Sequence, residues 1–280
     1  MFVVVGRLQP HVGGGIVAHH TSLSDRQSRV NTDQFVAENI VTAEMFAIAP
    51  SQAAEQLKFL RGCITSALSF RYKGYRHMST TIVGPDGQLR CRWCGAAPAF
   101  LAYHDTEWGF PVSNDHRLFE KLSLEGFQSG LSWRTILAKR EHFRTAFADF
   151  DFDRIARFTP RDRDRLLQDD GIVRHRGKIE AVINNARRAQ ELVKREGSLA
   201  AYIWRYEPDL KHLAEPQTAS TSAASLALSK ALKKQGWQFV GPTTVYAFMQ
   251  AMGLINDHVA DCVIRSTVEQ ARMRFGRPGP

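Results

Sequence analysis

The sequence is poor in cysteine. Four thiols in 280 residues, Cys63, Cys91, Cys94 and Cys262, are too few for a disulfide framework, so a reducing compartment that keeps them as thiols is expected. It also lacks any apolar run near the roughly 18 residues that cross a bilayer. The stretch from Phe2 to Val5 is too short for the core of a signal peptide. A cytoplasmic protein with no membrane contact follows as the expectation. With 44% hydrophobic and 23% charged residues, the chain is not a collagen, a coiled coil or a fully disordered polymer. Its length suits one large domain or two small ones.

Acidic residues are outnumbered. There are 28 Asp and Glu against 37 Lys and Arg, a formal charge of +9, which suits a polyanionic partner because cationic surface gains affinity from counterions released along a phosphate backbone. Simple solubility would serve equally as an explanation. The surplus is uneven: residues 1–88 hold eight basic and six acidic residues, leaving 29 and 22 for the rest. The first 88 residues open with Gly13-Gly14-Gly15 and a polar stretch from Thr21 to Gln34, and their apolar residues cluster only between about Val41 and Leu68. A poorly structured extension is expected there. Met78 makes a reasonable translation start, so some or all of residues 1–77 would be an upstream artefact or a mobile extension.

From Asn114 onward the periodicity is helical, and sustained strand alternation is missing, so an all-α body is expected over residues 89–264, with a basic tail over 265–280. Ser132 can cap a helix carrying Trp133, Ile136, Leu137, Phe143 and Phe147. Thr159-Pro160-x-Asp162 is a start signal, and Ile179, Val182, Ile183, Ala186, Leu192 and Val193 define a long face. Pro242 can open another helix and Asn256 can cap the last.

His258 and Cys262 stand at i and i+4, on one face if helical, which makes a half-site for Zn²⁺. Any two of Cys91, Cys94 and His104 could complete a tetrahedral sphere. A redox pair of Cys91 and Cys94 with an uninvolved His258 is the competing reading. Four protein ligands would make the site structural, because a catalytic zinc keeps a position open. A zinc-dependent base deaminase fits poorly: it needs a glutamate two residues after the histidine and a downstream Pro-Cys-x-x-Cys, whereas Glu107 lies three after His104 and the paired cysteines lie upstream.

Trp93, Phe100, Tyr103, Trp108 and Trp133 crowd a short region that also holds Glu125, followed by glycine and a polar turn. Aromatic faces with a carboxylate suit a flat cationic ligand, although large aromatics also serve as core and a solvated glutamate is the ordinary case. Between two helical faces, Gly171-Ile172-Val173-Arg174-His175-Arg176-Gly177-Lys178 forms a basic turn bracketed by glycines. Its amides could hold a phosphate with Arg174, Arg176 and Lys178 nearby; a solvated inter-helix turn is the alternative.

Cys91-Arg92-Trp93, Tyr103-His104-Asp105-Thr106-Glu107-Trp108-Gly109, Leu124-Glu125-Gly126 with Gly130-Leu131-Ser132-Trp133, residues 171–178, Leu228-Ser229-Lys230-Ala231-Leu232-Lys233-Lys234, Phe239-Val240-Gly241 and Asn256-Asp257-His258 closely resemble the DNA-3-methyladenine glycosylase I family. The likeness runs in order from about Arg90 to Cys262. It implies a helix-hairpin-helix glycosylase fold, one structural Zn²⁺ joining the two ends of the domain, and excision of 3-methyladenine from alkylated double-stranded DNA; a monomer is the separate expectation. Carried over by position, the metal ligands are Cys91, His104, His258 and Cys262. The base pocket is Trp93, Phe100, Tyr103, Glu125 and Trp133, with Tyr103 and Trp133 stacking and Glu125 accepting hydrogen bonds as the catalytic residue. Phe100 stands where the family is expected to have tyrosine, and Phe127 replaces a more usual polar residue. Gly130-Leu131 matches the segment that fills the gap left by the extruded nucleotide, and Gly171, Arg174, Arg176, Gly177 and Lys178 would face DNA. The resemblance offers no lysine nucleophile, so a monofunctional enzyme that leaves an abasic site is implied. A noncatalytic, zinc-stabilised DNA-binding or lesion-sensing module is the alternative, and a hydrolase with catalytic zinc is a third.

Overall fold

In the computed structural model, residues 79–279 are described except 210 and 212. Met78 and the extension before it lie outside the described residues. The described region opens with β1 (Thr81–Val83) paired antiparallel to β2 (Leu89–Cys91), Thr81 opposite Cys91. β1 lies about eight residues before the boundary expected at 89, and the described residues include one small ribbon whose three-residue strands are too short to betray themselves by alternation.

Helices follow: α1 (Pro98–Thr106), α2 (Asp115–Gln128), α3 (Trp133–Ala138), α4 (Arg140–Ala146), α5 (Phe152–Ile155), α6 (Pro160–Gln168), α7 (Arg176–Glu196), α8 (Leu199–Trp204), α9 (Ala223–Lys234), α10 (Pro242–Ala251) and α11 (Val263–Arg274). The all-helical expectation holds for everything after the ribbon. None of these helices is long and apolar enough to cross a membrane.

Central α2 is capped by Asn114, whose side chain accepts from Arg117 N, and it is buried over ten successive residues from Leu118 to Phe127. A helix buried all round must be surrounded, and α2 packs against α7, α8 and α10. Phe127 of α2 meets Phe143 with tilted rings at 4.6 Å, and Phe143 stacks on Phe147 at 6.3 Å. The helix expected from Ser132 through Phe147 is two helices. Ser132 does cap α3, but the backbone turns at Lys139 (φ −101°, ψ 3°) before α4. Thr159 opens α6 with a reciprocal capping box to Asp162 and proline at the first turn, as expected. The long face of α7 is buried at Ile179, Val182, Ile183, Ala186 and Leu192.

Two expectations at the C-terminal end fail. Residues 256–261 are not helical, and Cys262, not Asn256, precedes the last helix. The segment expected as a basic tail is mostly α11, because Val268 and Arg272 are buried. Arg272 donates to the Gly253 carbonyl and to Glu207, which ties the helix to the body.

Candidate metal centre and base cleft

Four side chains from both ends of the folded region converge. Cys91 closes β2 and His104 lies in the last turn of α1; His258 and Cys262 come from the loop before α11. All four are buried, and their ligand atoms lie within 4.8 Å of one another. Gly109, with φ of +89°, carries the chain past His258, where a Cβ would stand 3.2 Å from Nε2. His258 Nε2 donates to the Trp108 carbonyl at 3.0 Å, and His104 Nδ1 donates to the Asp105 carboxylate at 2.7 Å. Arg90 holds Asp105 in turn, at 2.9 Å.

Those outer bonds fix the tautomers and leave His104 Nε2 and His258 Nδ1 as bare lone pairs facing each other at 3.1 Å. Cys262 Sγ is 3.5 Å from each, and Cys91 Sγ is 3.6 Å from His258 Nδ1. A tetrahedral ion with nitrogen at roughly 2.0–2.1 Å and sulfur at roughly 2.3 Å requires N···S edges of about 3.5 Å and an N···N edge of about 3.4 Å. The set fits a four-coordinate metal. A hydrogen bond from the Cys91 thiol holds the Cys262 thiol far below the ordinary thiol range, while the neighbouring Cys262 and burial push Cys91 up. Cys94, left open as a ligand by its spacing, is buried elsewhere with Ala97 and Phe100. His258 and Cys262 meet without the helix that their spacing implied.

Beside this cluster the aromatic side chains make a cleft. The Trp93 ring sits 5.3 Å from the ring of His104 and 6.3 Å from that of Tyr103, bridging the two sites. Tyr103 and Trp133 face each other at 5.3 Å with their planes tilted by 46°. Tyr103 comes from α1 and Trp133 opens α3, where the Ser132 cap fixes it. Glu125, on α2, is buried, and its Oε1 pairs with Lys121 Nζ at 2.7 Å. Burial and the nearby Glu125 and Glu107 carboxylates raise the Tyr103 phenol well above its ordinary value, so it remains an O–H group. The Trp133 indole N–H is buried with no hydrogen-bond partner. Phe100 is buried edge-on against Trp93 at 5.8 Å, among Cys94 and Ala97.

Next to the cleft, Leu131 protrudes, 43% exposed, after Gly130 at φ +78°. Between α6 and α7, the Gly171 amide donates to Asp169, and its carbonyl and that of Asp170 accept from Lys139. A Cβ on Gly171 would fall 2.9 Å from both Asp169 Oδ1 and His142, so any other residue would have to push those side chains aside. His175 caps α7 through Nδ1, accepting from Lys178 N, and Gly177 packs beneath its ring. Arg174 and Arg176 are exposed, Arg176 beside Glu180 at 3.7 Å. Lys178 departs from expectation: its ammonium is buried and donates to the carbonyls of Phe127 and Ser129. It pins the end of α2 to α7 and does not face solvent, where a phosphate would lie.

The sequence pattern of the methyladenine glycosylase family matches residues 93–266. The chain belongs to this family. DNA-3-methyladenine glycosylase 1 of Escherichia coli (strain K12) is 46% identical over 177 residues, covering 62% of this chain and 95% of that protein. A crystal structure of 3-methyladenine DNA glycosylase I superposes with a TM-score of 0.59 at 45% identity, covering 62% of this chain and 98% of the other. The Staphylococcus aureus enzyme, solved for the structural basis of 3-methyladenine recognition, gives 0.58 at 38% identity over 60% and 92%.

Family motifs led the reading to the cleft's walls but not to everything in it. Lys121 was missed, because a lysine between two glutamates on a helix reads as solvated surface. Phe239 carries no signal of its own beyond its place in the Phe239-Val240-Gly241 motif. It is 39% exposed with φ of +53° and stands near His175, ring to ring at 6.3 Å. Asp105 and the Trp108 carbonyl, which orient the metal-site histidines, carry no spacing signal of their own.

Proposed function

We propose that the chain is a monofunctional DNA glycosylase that extrudes 3-methyladenine from alkylated double-stranded DNA, binds it between Tyr103 and Trp133 beside Glu125, and hydrolyses its N-glycosidic bond. One observation carries this reading: in a member of the methyladenine glycosylase family, two facing rings stand beside a buried carboxylate. Methylation at N3 makes the base cationic, so it departs neutral and needs little acid catalysis. The protein's work is to bear the unstacking cost of a few kcal/mol and to hold the extruded base while water captures the sugar. Tyr103 and Trp133 give π faces to an electron-poor ring. Glu125 offers the acceptor that discriminates the cation from neutral adenine. Leu131 would fill the gap in the duplex, and the α6–α7 hairpin, with Gly171 and Gly177 for close approach and Arg174 and Arg176 for charge, would hold phosphates in the manner of a helix-hairpin-helix element. Lys178 supports that hairpin from inside.

Zn²⁺ fits Cys91, His104, His258 and Cys262 and would be structural, since all four positions are filled by protein. When bound, it supplies cohesion and no chemistry. The working unit spans roughly residues 80–275, which includes the β-ribbon and the later turns of α11 beyond the family match. One chain carries every group assigned here, in keeping with a monomer, and free thiols and a chromosomal substrate suit the cytoplasm.

Chromatography of bases freed from methylated DNA tests the reading, together with gel analysis of the strand. Free 3-methyladenine and an uncut strand bearing an abasic site are expected. DNA that is bound but releases no base would support the noncatalytic lesion-sensing alternative.

A further inference from the structure

Lys121 stands one turn before Glu125 on α2, and its ammonium sits in the cleft itself. Nζ pairs with Glu125 at 2.7 Å, donates to the Tyr103 hydroxyl at 2.8 Å and lies 3.4 Å from the centroid of the Trp133 ring. Only 6% of the residue is exposed. These are the same three groups that the base is assigned. A desolvated cation on an aromatic face, pinned by a carboxylate, is the chemistry expected of the alkylated base, and here the chain supplies it. The free volume left in the cleft is about 10 Å³, room for about one water. No purine enters while Lys121 stays.

We propose that Lys121 is a specificity-determining residue that competes with the base: a purine enters only by displacing the ammonium from Trp133 and Glu125, so residue 121 sets how strongly the cleft takes a cationic purine over a neutral one. The proposal rests on the base-cleft reading above. Glu125 faces Nζ from its own helix, while Glu107, Arg117, Glu120 and Arg140 line the small cavity that Lys121 shares with Tyr103 and Trp133. Burial weakens the lysine's hold on its proton against the pull of Glu125, so leaving the cleft relieves a desolvation cost. An ammonium and a cationic purine cannot share this space without like-charge repulsion in a poorly screened site.

Calorimetric titration of the full chain tests this with two probes, neutral 3-methyladenine and 3,9-dimethyladeninium, a fixed cation. Lys121→Met should tighten binding of the fixed cation at least about tenfold, equivalent to about 1.4 kcal/mol, and that of 3-methyladenine by less. Unchanged or weaker binding of the cation would overturn the proposal. A second measurement needs no folded variant for its outcome. In the wild-type chain labelled with ¹³C-lysine, the Lys121 Cε resonance should be displaced by the Trp133 ring current and should return to the ordinary lysine position as 3-methyladenine saturates the cleft; a resonance that stays displaced at saturation overturns the proposal. Trp133→Ala separates the two ideas. If it binds both probes like the wild type, the cleft reading fails and this proposal with it; if it loses binding while Lys121→Met matches the wild type, the cleft stands and only the competition falls.

Discussion

In the proposed function Glu125 and Trp133 carry the recognition of the base, and each can be weighed separately. Glu125→Gln keeps the shape and a hydrogen-bonding oxygen but removes a charged acceptor, and bonds to charged groups contribute about 1.5–3 kcal/mol. Release of 3-methyladenine from methylated DNA should fall about 10- to 150-fold, measured under single-turnover conditions. Trp133→Ala removes a stacking face, and base stacking is worth about 1–3 kcal/mol, so a loss of similar size is expected. Equal rates in all three proteins would contradict the assignment. The sequence pointed to these residues through their motifs, and the structure brings Tyr103, Trp133 and Glu125 to one place. It could not point to Lys121. The charged run Glu120-Lys121 belongs by pattern to a wet helix face, yet α2 is buried on every side over this stretch, and burial all round is a property of neighbours that the local pattern does not contain.

The α6–α7 hairpin is the element whose placement depends most on local chemistry. Thr159 accepts from Asp162 N, and Asp162 answers to Thr159 N at 2.8 Å, so Thr159→Ala should cost about 1 kcal/mol, read from denaturant unfolding. The backbone and hydroxyl bonds from Thr159 hold the Asp162 carboxyl below its ordinary range. That stability is present above the usual aspartate pKa and is lost as pH falls through the depressed value. The penalty of Thr159→Ala should therefore shrink in strong acid. On the same hairpin, Arg174→Ala should reduce the slope of log affinity against log salt by about one, whereas Lys178→Met should leave that slope unchanged. Lys178→Met should instead destabilise the fold by about 1–3 kcal/mol, because two buried carbonyls lose their donor. This contrast was not legible beforehand: Arg174, Arg176 and Lys178 look alike in sequence, and only packing against the end of α2 turns one of them inward. Helix starts fared better, since the Thr159-Pro160 and Asn114 signals are local. The break at Lys139 and the non-helical run 256–261 are tertiary, and apolar periodicity crosses the first without a mark.

At the scale of the molecule, the Cys/His cluster ties the β-ribbon and α1 to the loop that leads into α11, groups over 150 residues apart. Structural zinc binding is worth roughly 10–16 kcal/mol, against a typical total stability of about 5–15 kcal/mol for a folded domain. Chelation, or Cys262→Ser, should lower the melting midpoint by tens of degrees or abolish the folded state, followed by circular dichroism with metal content measured in parallel. Protein that loses its metal and keeps both fold and midpoint would contradict the structural role. The ligand set followed from the family resemblance, while the loop geometry that delivers His258 and Cys262 did not follow from their helical spacing. The central claim is that the Tyr103–Trp133 cleft takes the damaged base, and a crystal structure of the chain with 3-methyladenine tests it most directly. The account predicts the purine stacked between those two rings with a polar edge on Glu125. Purine bound elsewhere, with the two rings still closed on each other, would contradict it.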